Sequence, residues 1–353
     1  MARFTIATLA MVALLALALV HGGIWAVAAL VYITAFTYFM DRIAALAPPD
    51  DPGQEFPAGD TLSLLLGVAH FPLLYGGVRV IGSSDAFTTA DKILIFFALS
   101  LFLGQVSNSN AHELIHRAPR VLRRLGVAVY ASILFGFHAS AHVRVHHVHA
   151  ATVRDPNSAR LGESFYAFAP RAWAGALVAG YHAESRLRRG TGLHPYAVYG
   201  LGAALSLVLA YVLAGWGGIA ALLGLSAYAQ AQLLLSDYVQ HYGLTRREIA
   251  PGRPEPVGPQ HSWNAPHGFS SALMLNAPRH SDHHSHPAKP YPGLSLDRAA
   301  MPILPHSLPV MAVLALLPPV WRRVMDRRVA RVRARQADLP DRQATASRLP
   351  QEA

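Results

Sequence analysis

Long apolar segments recur along this chain of 353 residues and restrict it to one kind of fold. A helix needs about 20 mostly apolar residues to cross the roughly 30 Å hydrocarbon layer of a bilayer. Only 14% of the residues are charged, whereas about a quarter are charged in ordinary soluble domains. The segments that predict crossings are residues 4–20, 24–40, 61–80, 93–106, 197–214 and 217–235. They predict an all-α integral membrane protein with about six transmembrane helices.

The first apolar run has an alternative interpretation as a cleaved leader, because Arg3 precedes it. A second apolar run follows, however, after only His21, Gly22 and Gly23. A tight hairpin of two crossing helices accounts for both runs better than a leader does.

The distribution of arginine predicts the orientation, since cytoplasmic loops carry an excess of basic residues. Only Arg79 and Lys92 lie near the loops on one side, and the other basic residues fall on the opposite side. This places both termini, residues 107–196 and residues 236 onward in the cytoplasm of a bacterial-type inner membrane.

Two further apolar stretches are unsuited to crossing. Residues 127–137 are too few, and residues 303–321 are interrupted by prolines, so both are expected to lie buried or half-submerged on the cytoplasmic side. Residues 321–335 carry seven arginines; they are expected to lie on the membrane with an apolar stripe toward lipid, or alternatively to dock an acidic protein. One membrane-embedded domain, residues 1–337, is expected, followed by a disordered tail, residues 338–353.

The chain has no cysteine but 19 histidines. Without cysteine it holds no disulfide, thiolate nucleophile or iron–sulfur centre of its own. His21, His70, His194 and His306 stand alone and are interpreted as ordinary polar residues.

The remaining histidines include three closely spaced groups and one that directly follows the sixth apolar segment. The groups have the patterns HExxH, HxxxHH and HxxHH, and all four sites fall on the predicted cytoplasmic side. Imidazole binds Fe, Zn, Cu and Ni alike, and nine nitrogen ligands are enough for two metal ions with several ligands each. The nine candidate ligands are His112, His116, His142, His146, His147, His241, His280, His283 and His284.

Two other functions are compatible with parts of this histidine pattern. The segment from His112 to His116 also fits the zinc-protease motif HExxH, with Glu113 as general base. That interpretation leaves the other two groups without a role. A metal transporter would need ligands near the middle of the membrane, whereas these lie past the ends of the predicted spans.

Four longer motifs resemble the alkane 1-monooxygenase branch of the membrane-bound, histidine-rich di-iron family of fatty acid desaturases and hydroxylases. The HxxxHH group is followed by RDPNSARLGESFY, and the later segments read DYVQHYGL, HSWN and RHSDHH. The resemblance covers residues from about 107 to 293. It implies a cytoplasmic histidine-box catalytic region in which the nine histidines bind two iron ions and O2 is the co-substrate.

The activity implied by the resemblance is O2-dependent hydroxylation of a terminal or methyl carbon of an apolar hydrocarbon that enters from the bilayer. Electrons would come from rubredoxin or a ferredoxin-type donor with an NAD(P)H-linked reductase. Membrane lipids are expected partners and nucleic acid is not. No catalytic residue beyond the metal ligands is singled out.

Some positions depart from the branch, notably Ala141, Val145 and Gln240. They leave open a xylene-type aromatic methyl hydroxylase or a fatty acid desaturase or hydroxylase of the same di-iron family. His138, His149, His267 and His286 match no ligand position. Carboxylates often hold the second nitrogen of a ligand imidazole, and the candidates for this role are Asp155, Asp237 and Asp282, with local turn or capping contacts as the alternative.

Overall fold

The computed structural model describes residues 1–43, 58–190 and 192–337. The predicted disordered tail, residues 338–353, lies outside the described residues. In the described part the chain is mainly helical, with one small two-stranded sheet, β1 (Glu248–Ala250) and β2 (Arg253–Pro254). The helices are α1 (Ala2–His21), α2 (Gly23–Ile43), α3 (Ala58–Ser83), α4 (Thr89–Ile115), α5 (Arg120–Ser132), α6 (His138–Ala141, His142–His146 and His147–His149 end to end), α7 (Phe165–Arg188), α8 (Pro195–His241), α9 (Gly268–Leu273), α10 (His280–Ser285), α11 (Leu308–Ala315) and α12 (Pro318–Ala337).

Five of the described helices, α1 to α4 and α8, are long and apolar enough to cross a membrane. The first two form the predicted hairpin, which turns at Gly22 with φ of 62°. Asp91 at the start of α4 accepts a hydrogen bond from the Gly23 amide at 2.6 Å and exchanges capping hydrogen bonds with Thr88. These contacts attach the hairpin turn to α4 at the end of the bundle away from the histidines.

Helix α8 has 47 residues and contains a break at Ala214 and Gly215, whose backbone angles are not helical. A side chain on Gly218 would meet the carbonyl oxygen of Ala210 at 2.1 Å, although eight residues of a straight helix rise about 12 Å. The chain therefore reverses direction at the break. The two arms correspond to the expected segments 197–214 and 217–235, so the five long helices contain all six segments predicted to cross.

The opposite end of the bundle, called the histidine side here, is formed by the start of α1, the end of α2, the start of α3 and the ends of α4 and α8. The ring of Phe4 packs edge-on against Tyr291, with 5.0 Å between centroids. Asp41 accepts hydrogen bonds from the amides of Phe269 and Ser270 at 3.1 and 2.9 Å. These contacts join the membrane helices to the segments before and after α10, the helix that carries the third histidine group.

The two short apolar stretches do not cross. Residues 127–137 form the end of α5 and the turn after it, where the Tyr130 hydroxyl donates to the carbonyl of Asn108 in α4 at 3.2 Å. Residues 303–321 form α11 and the first turn of α12. Both stretches pack on the histidine side.

Helix α12 corrects the expected arrangement of the arginine-rich segment. Its apolar stripe, Trp321, Met325 and Val329, is fully buried and packs with Tyr238 of α8 and with Tyr242 just after it. The stripe therefore faces protein and not lipid, and it holds α12 over the end of α8. Most of the arginines lie on the outer face of the helix.

His70 of α3, expected to be an ordinary polar residue, ties three helices together inside the membrane region. Its ring nitrogens lie 2.6 Å from the Ser107 hydroxyl and 2.8 Å from that of Ser132. Ser132 donates its own hydrogen to the carbonyl of Val129 at 2.7 Å. Ser132 therefore accepts from the His70 Nε2–H group, and Ser107 donates to Nδ1 of the neutral ring.

Replacing His70 with phenylalanine is expected to lower the free energy of unfolding by about 1–3 kcal/mol, because two buried hydroxyls lose a partner. Unfolding by sodium dodecyl sulfate in mixed micelles measures this. His21→Phe, at an exposed position, is the matched control and is expected to unfold at the wild-type midpoint. Equal midpoints for the two variants would contradict the role of His70.

Candidate metal centre

The nine predicted ligands come together in two adjacent clusters on the histidine side. In each cluster, one nitrogen from every histidine lies within 4.8 Å of all the others. The first cluster consists of His112, His116, His142, His147 and His283. The second cluster consists of His146, His241, His280 and His284.

Within the clusters, ring nitrogens point at one another. In the first cluster, Nε2 of His142 lies 2.7 Å from Nε2 of His112 and 2.9 Å from Nε2 of His147. In the second, Nε2 of His280 lies 2.9 Å from Nε2 of His241 and 3.0 Å from Nε2 of His284. One ring nitrogen has either one hydrogen or one lone pair, so it cannot make two such hydrogen bonds well.

These distances fit a shared metal ion. Two nitrogens about 2.1 Å from one ion and at a right angle to each other lie about 3 Å apart. Nε2 of His116 and Nε2 of His146 are buried and have no hydrogen-bond partner among the described residues. Unpartnered nitrogens that face a ring of other nitrogens are what a cation would satisfy, so the residues fit two metal ions.

The imidazoles of the third histidine group are also in the neutral form that metal binding requires. Burial, reinforced by the neighbouring imidazoles, holds the pKa values of His280, His283 and His284 well below their usual range. These rings are therefore uncharged at neutral pH and have lone pairs available for a cation.

A π-helical turn, His142–His146, divides the second histidine group between the clusters. The amide of His147 donates to the carbonyl of His142, five residues earlier. Residues five apart on an α-helix point about 140° away from each other, but in a π turn they face the same side. His142 and His147 consequently both enter the first cluster, and His146 enters the second.

The third group achieves the same division without a π turn. Helix α10 places His280 and His284, four residues apart, in the second cluster and His283 in the first. The longer HxxxHH spacing with a π turn is thus geometrically equivalent to HxxHH on an α-helix. The sequence carried this signal in the extra residue of the second group, but the division between clusters was not predicted.

The HSWN segment positions two of the ligand-bearing elements. Asn264 accepts a hydrogen bond from the Ser281 amide at 2.9 Å and donates to the Ser281 hydroxyl at 2.7 Å, which fixes the start of α10. The Trp263 amide donates to the carbonyl of Gln240 at 2.7 Å, next to His241. This segment therefore holds the third group against the end of α8.

The three candidate supporting carboxylates have different surroundings. Asp155 accepts from Nδ1 of His146 at 2.9 Å and also from the Ser158 hydroxyl at 2.7 Å. Asp237 instead accepts from the side chain of Asn157 at 2.6 Å. The structure therefore brings Asp155 to a cluster imidazole, whereas the hydrogen bond of Asp237 is made with Asn157.

Asp282 is likewise engaged elsewhere. Its carboxylate accepts from Nδ1 of His286 at 2.9 Å, from the Lys289 ammonium at 2.8 Å and from the Ser295 amide at 2.8 Å. It anchors the loop after α10 and not a cluster imidazole.

Replacing Asp155 with asparagine is expected to weaken metal binding at the second cluster by about 10–100-fold, because outer carboxylates orient ligand imidazoles. Competition with a chelator, followed by metal analysis, measures this. Asp282→Asn is the matched control and should leave the affinity near the wild-type value. The same loss in both variants would contradict a specific role for Asp155.

The contacts of the Glu113 carboxylate do not suit the general base of a zinc protease. It is buried, forms an ion pair with Arg117, and accepts from the Tyr291 amide at 3.1 Å. Arg117 also lies 3.4 Å from Asp60 at the start of α3. Glu113 thus joins the first histidine group to the loop after α10.

The histidines that match no ligand position lie outside both clusters. The ring of His138 stacks on Phe135 at 4.9 Å, with 13° between the ring planes. His286 bonds to Asp282 and is largely exposed. Neither His149 nor His267 joins a group of candidate metal ligands in the described part of the chain.

The fold and the paired clusters define an α-helical membrane protein with a histidine-rich metal centre. Residues 92–315 match the sequence model of the fatty acid desaturase family. The chain belongs to this family.

Within this family, the chain is similar to three curated monooxygenases. The chain is 32% identical over 280 residues to alkane 1-monooxygenase 2 of Pseudomonas aeruginosa, which covers 75% of this chain and 73% of the relative. It is 31% identical over 322 residues to alkane 1-monooxygenase 1 of the same organism, covering 88% and 84%. It is 28% identical over 275 residues to the xylene/toluene monooxygenase hydroxylase component XylM of Pseudomonas putida, covering 74% and 70%. The similarity to curated monooxygenases identifies the chain as an oxidoreductase.

Proposed function

We propose that this protein is a di-iron hydroxylase that inserts one oxygen atom of O2 into a terminal or methyl C–H bond of an apolar hydrocarbon. The observation that carries the proposal is the pair of all-histidine clusters, together with the similarity to alkane 1-monooxygenases. The reaction consumes the hydrocarbon, O2, two electrons and two protons, and yields an alcohol and water.

In this proposal, each cluster holds one iron ion, and the nine histidines are the ligands. The ions supply the oxygen chemistry, and the protein fixes their ligands and controls access of water. Six of the nine imidazoles, those of His142, His146, His241, His280, His283 and His284, are no more than 5% exposed. The helices α4, α6, α8 and α10 form the walls around them. Asp155 keeps the ring of His146 in one orientation through Nδ1, so that Nε2 faces the second ion.

Electrons must come from another protein, because the chain has no cysteine with which to hold an iron–sulfur centre. Rubredoxin or a ferredoxin-type protein with an NAD(P)H-linked reductase is the proposed donor. The arginine distribution supports a cytoplasmic position for the histidine side at a bacterial-type inner membrane.

The first candidate substrate is a linear alkane, and the second is a methyl-substituted aromatic compound. The alkane is favoured by the identity and coverage of the alkane 1-monooxygenases, which exceed those of the xylene/toluene relative. The position that resembles the aromatic branch, Gln240, donates to the carbonyl of Ala277 at 3.0 Å. Its side chain therefore supports the fold near Trp263 and does not by itself favour an aromatic substrate.

The test combines metal analysis with turnover of the detergent-purified full chain. The expected result is about two irons per chain and conversion of octane to octan-1-ol when rubredoxin, its reductase and NADH are added. Conversion of p-xylene alone would shift the assignment to the aromatic class. One zinc per chain, retained in His283→Ala but lost in His112→Ala, would contradict the proposal and favour a zinc protease.

A further inference from the structure

A recess of about 500 Å³ opens on the histidine side beside His116. Its lining combines small apolar residues with the cations Arg117, Arg123 and Arg144, and Asp60 is the acidic residue among them. The recess is amphipathic, and cations outnumber acids on its wall.

The charges of this recess are unequally compensated. Arg117 is paired with Glu113 and lies 3.4 Å from Asp60, so its charge is balanced. Arg123 forms no ion pair among the described residues. Arg144 lies 3.8 Å from Glu184, a carboxylate that it shares with Arg188. Arg123 and Arg144 are therefore the cations left to attract an anion.

The depth of the recess corresponds to the lipid headgroups. Asp60 precedes Leu64 by four residues of α3, or about 6 Å along the helix axis. Leu64 and its neighbour Leu65 are 42% and 52% exposed on a helix that crosses the membrane, so they contact lipid chains. Val121, in the first turn of α5 beside the recess, is 71% exposed. Apolar surface thus borders the cationic recess, as an amphiphile with an anionic head requires.

We propose that this recess binds the phosphate headgroup of an anionic membrane lipid, with Arg123 and Arg144 as its cationic contacts. Basic recesses at the membrane surface bind anionic headgroups in this way. The bound lipid would cover the exposed wall at His116 and so separate the first cluster from bulk water. This inference does not depend on which metal the clusters hold or on the reaction.

The test is a binding titration of the full chain in maltoside detergent. Dihexanoyl phosphatidylglycerol, dihexanoyl phosphatidylcholine and inorganic phosphate are compared as probes. The anionic phosphatidylglycerol is expected to bind most tightly. Its affinity is expected to fall about fivefold in Arg123→Ala and about thirtyfold in Arg123→Ala/Arg144→Ala. The single variant keeps the test valid if the double variant folds poorly.

The matched control is Arg331→Ala/Arg335→Ala, which removes two arginines from the outer face of α12. No residue of α12 lines the recess, so this variant should bind dihexanoyl phosphatidylglycerol as the wild type does. Equal losses in both double variants would show general surface attraction and overturn the assignment. Inorganic phosphate that binds as tightly as phosphatidylglycerol, with the same dependence on the two arginines, would show a site for a free anion. That result would also overturn the assignment to a lipid.

Discussion

Replacing His283 with alanine is expected to reduce the metal content from about two ions per chain to about one, and His284→Ala is expected to do the same at the other cluster. The two residues are adjacent in α10, yet they belong to the first and the second cluster respectively. Each variant should lower hydroxylation by more than about 100-fold, since even outer-sphere substitutions cost 10–100-fold. Metal analysis and product formation measure the two effects.

The matched control for both variants is His286→Ala in the segment just after α10. His286 is largely exposed and bonds to Asp282 and not to a cluster. It should retain about two ions and most of the activity. Loss of both ions in His283→Ala and in His284→Ala would argue against two separable sites.

Deleting Arg144 is expected to leave both metal ions in place, although it shortens a histidine motif by one residue. The deletion changes HxxxHH to HxxHH, the spacing that α10 already uses to divide its histidines in the same way. A π turn is an α-helix with one additional residue, so removing that residue restores α-helical geometry. Deleting Ser281 from α10 is expected to abolish metal binding, because α10 has no additional residue to lose.

Arg144→Ala separates the loss of the side chain from the shortening of the helix, and it should resemble the wild type in metal content. Metal analysis of the three variants distinguishes the outcomes. If the Arg144 deletion loses its ions as completely as the Ser281 deletion, the equivalence of the two motifs is wrong.

Sequence patterns predicted the crossings because apolar length is a property of each segment by itself. The hairpin at Gly22 and the reversal at Gly215 were both visible as short glycine-containing gaps between apolar runs. The direction of the apolar stripe on α12 was not predictable in this way. A stripe of Trp321, Met325 and Val329 suits lipid and protein equally well, and its burial depends on α8 being close by.

The same limit applies to the metal centre. Spacing and residue type selected the nine histidines, and the structure gathers all nine. The assignment of His146 and His147 to different clusters depends on a π turn, which is a feature of the backbone. The partner of Asp237 depends on Asn157, 80 residues away in the chain. Long-range pairings of this kind are not encoded in local patterns.

Two peptide bonds span the two clusters. His146 and His147 are consecutive, as are His283 and His284. Each pair contributes one ring to the first cluster and one ring to the second. The distance between the two clusters is therefore constrained by covalent geometry at two points, and not only by the packing of separate helices. Bending or tilting of the membrane helices would carry both positions along together. We therefore expect the separation between the two clusters to stay the same when the thickness of the bilayer changes.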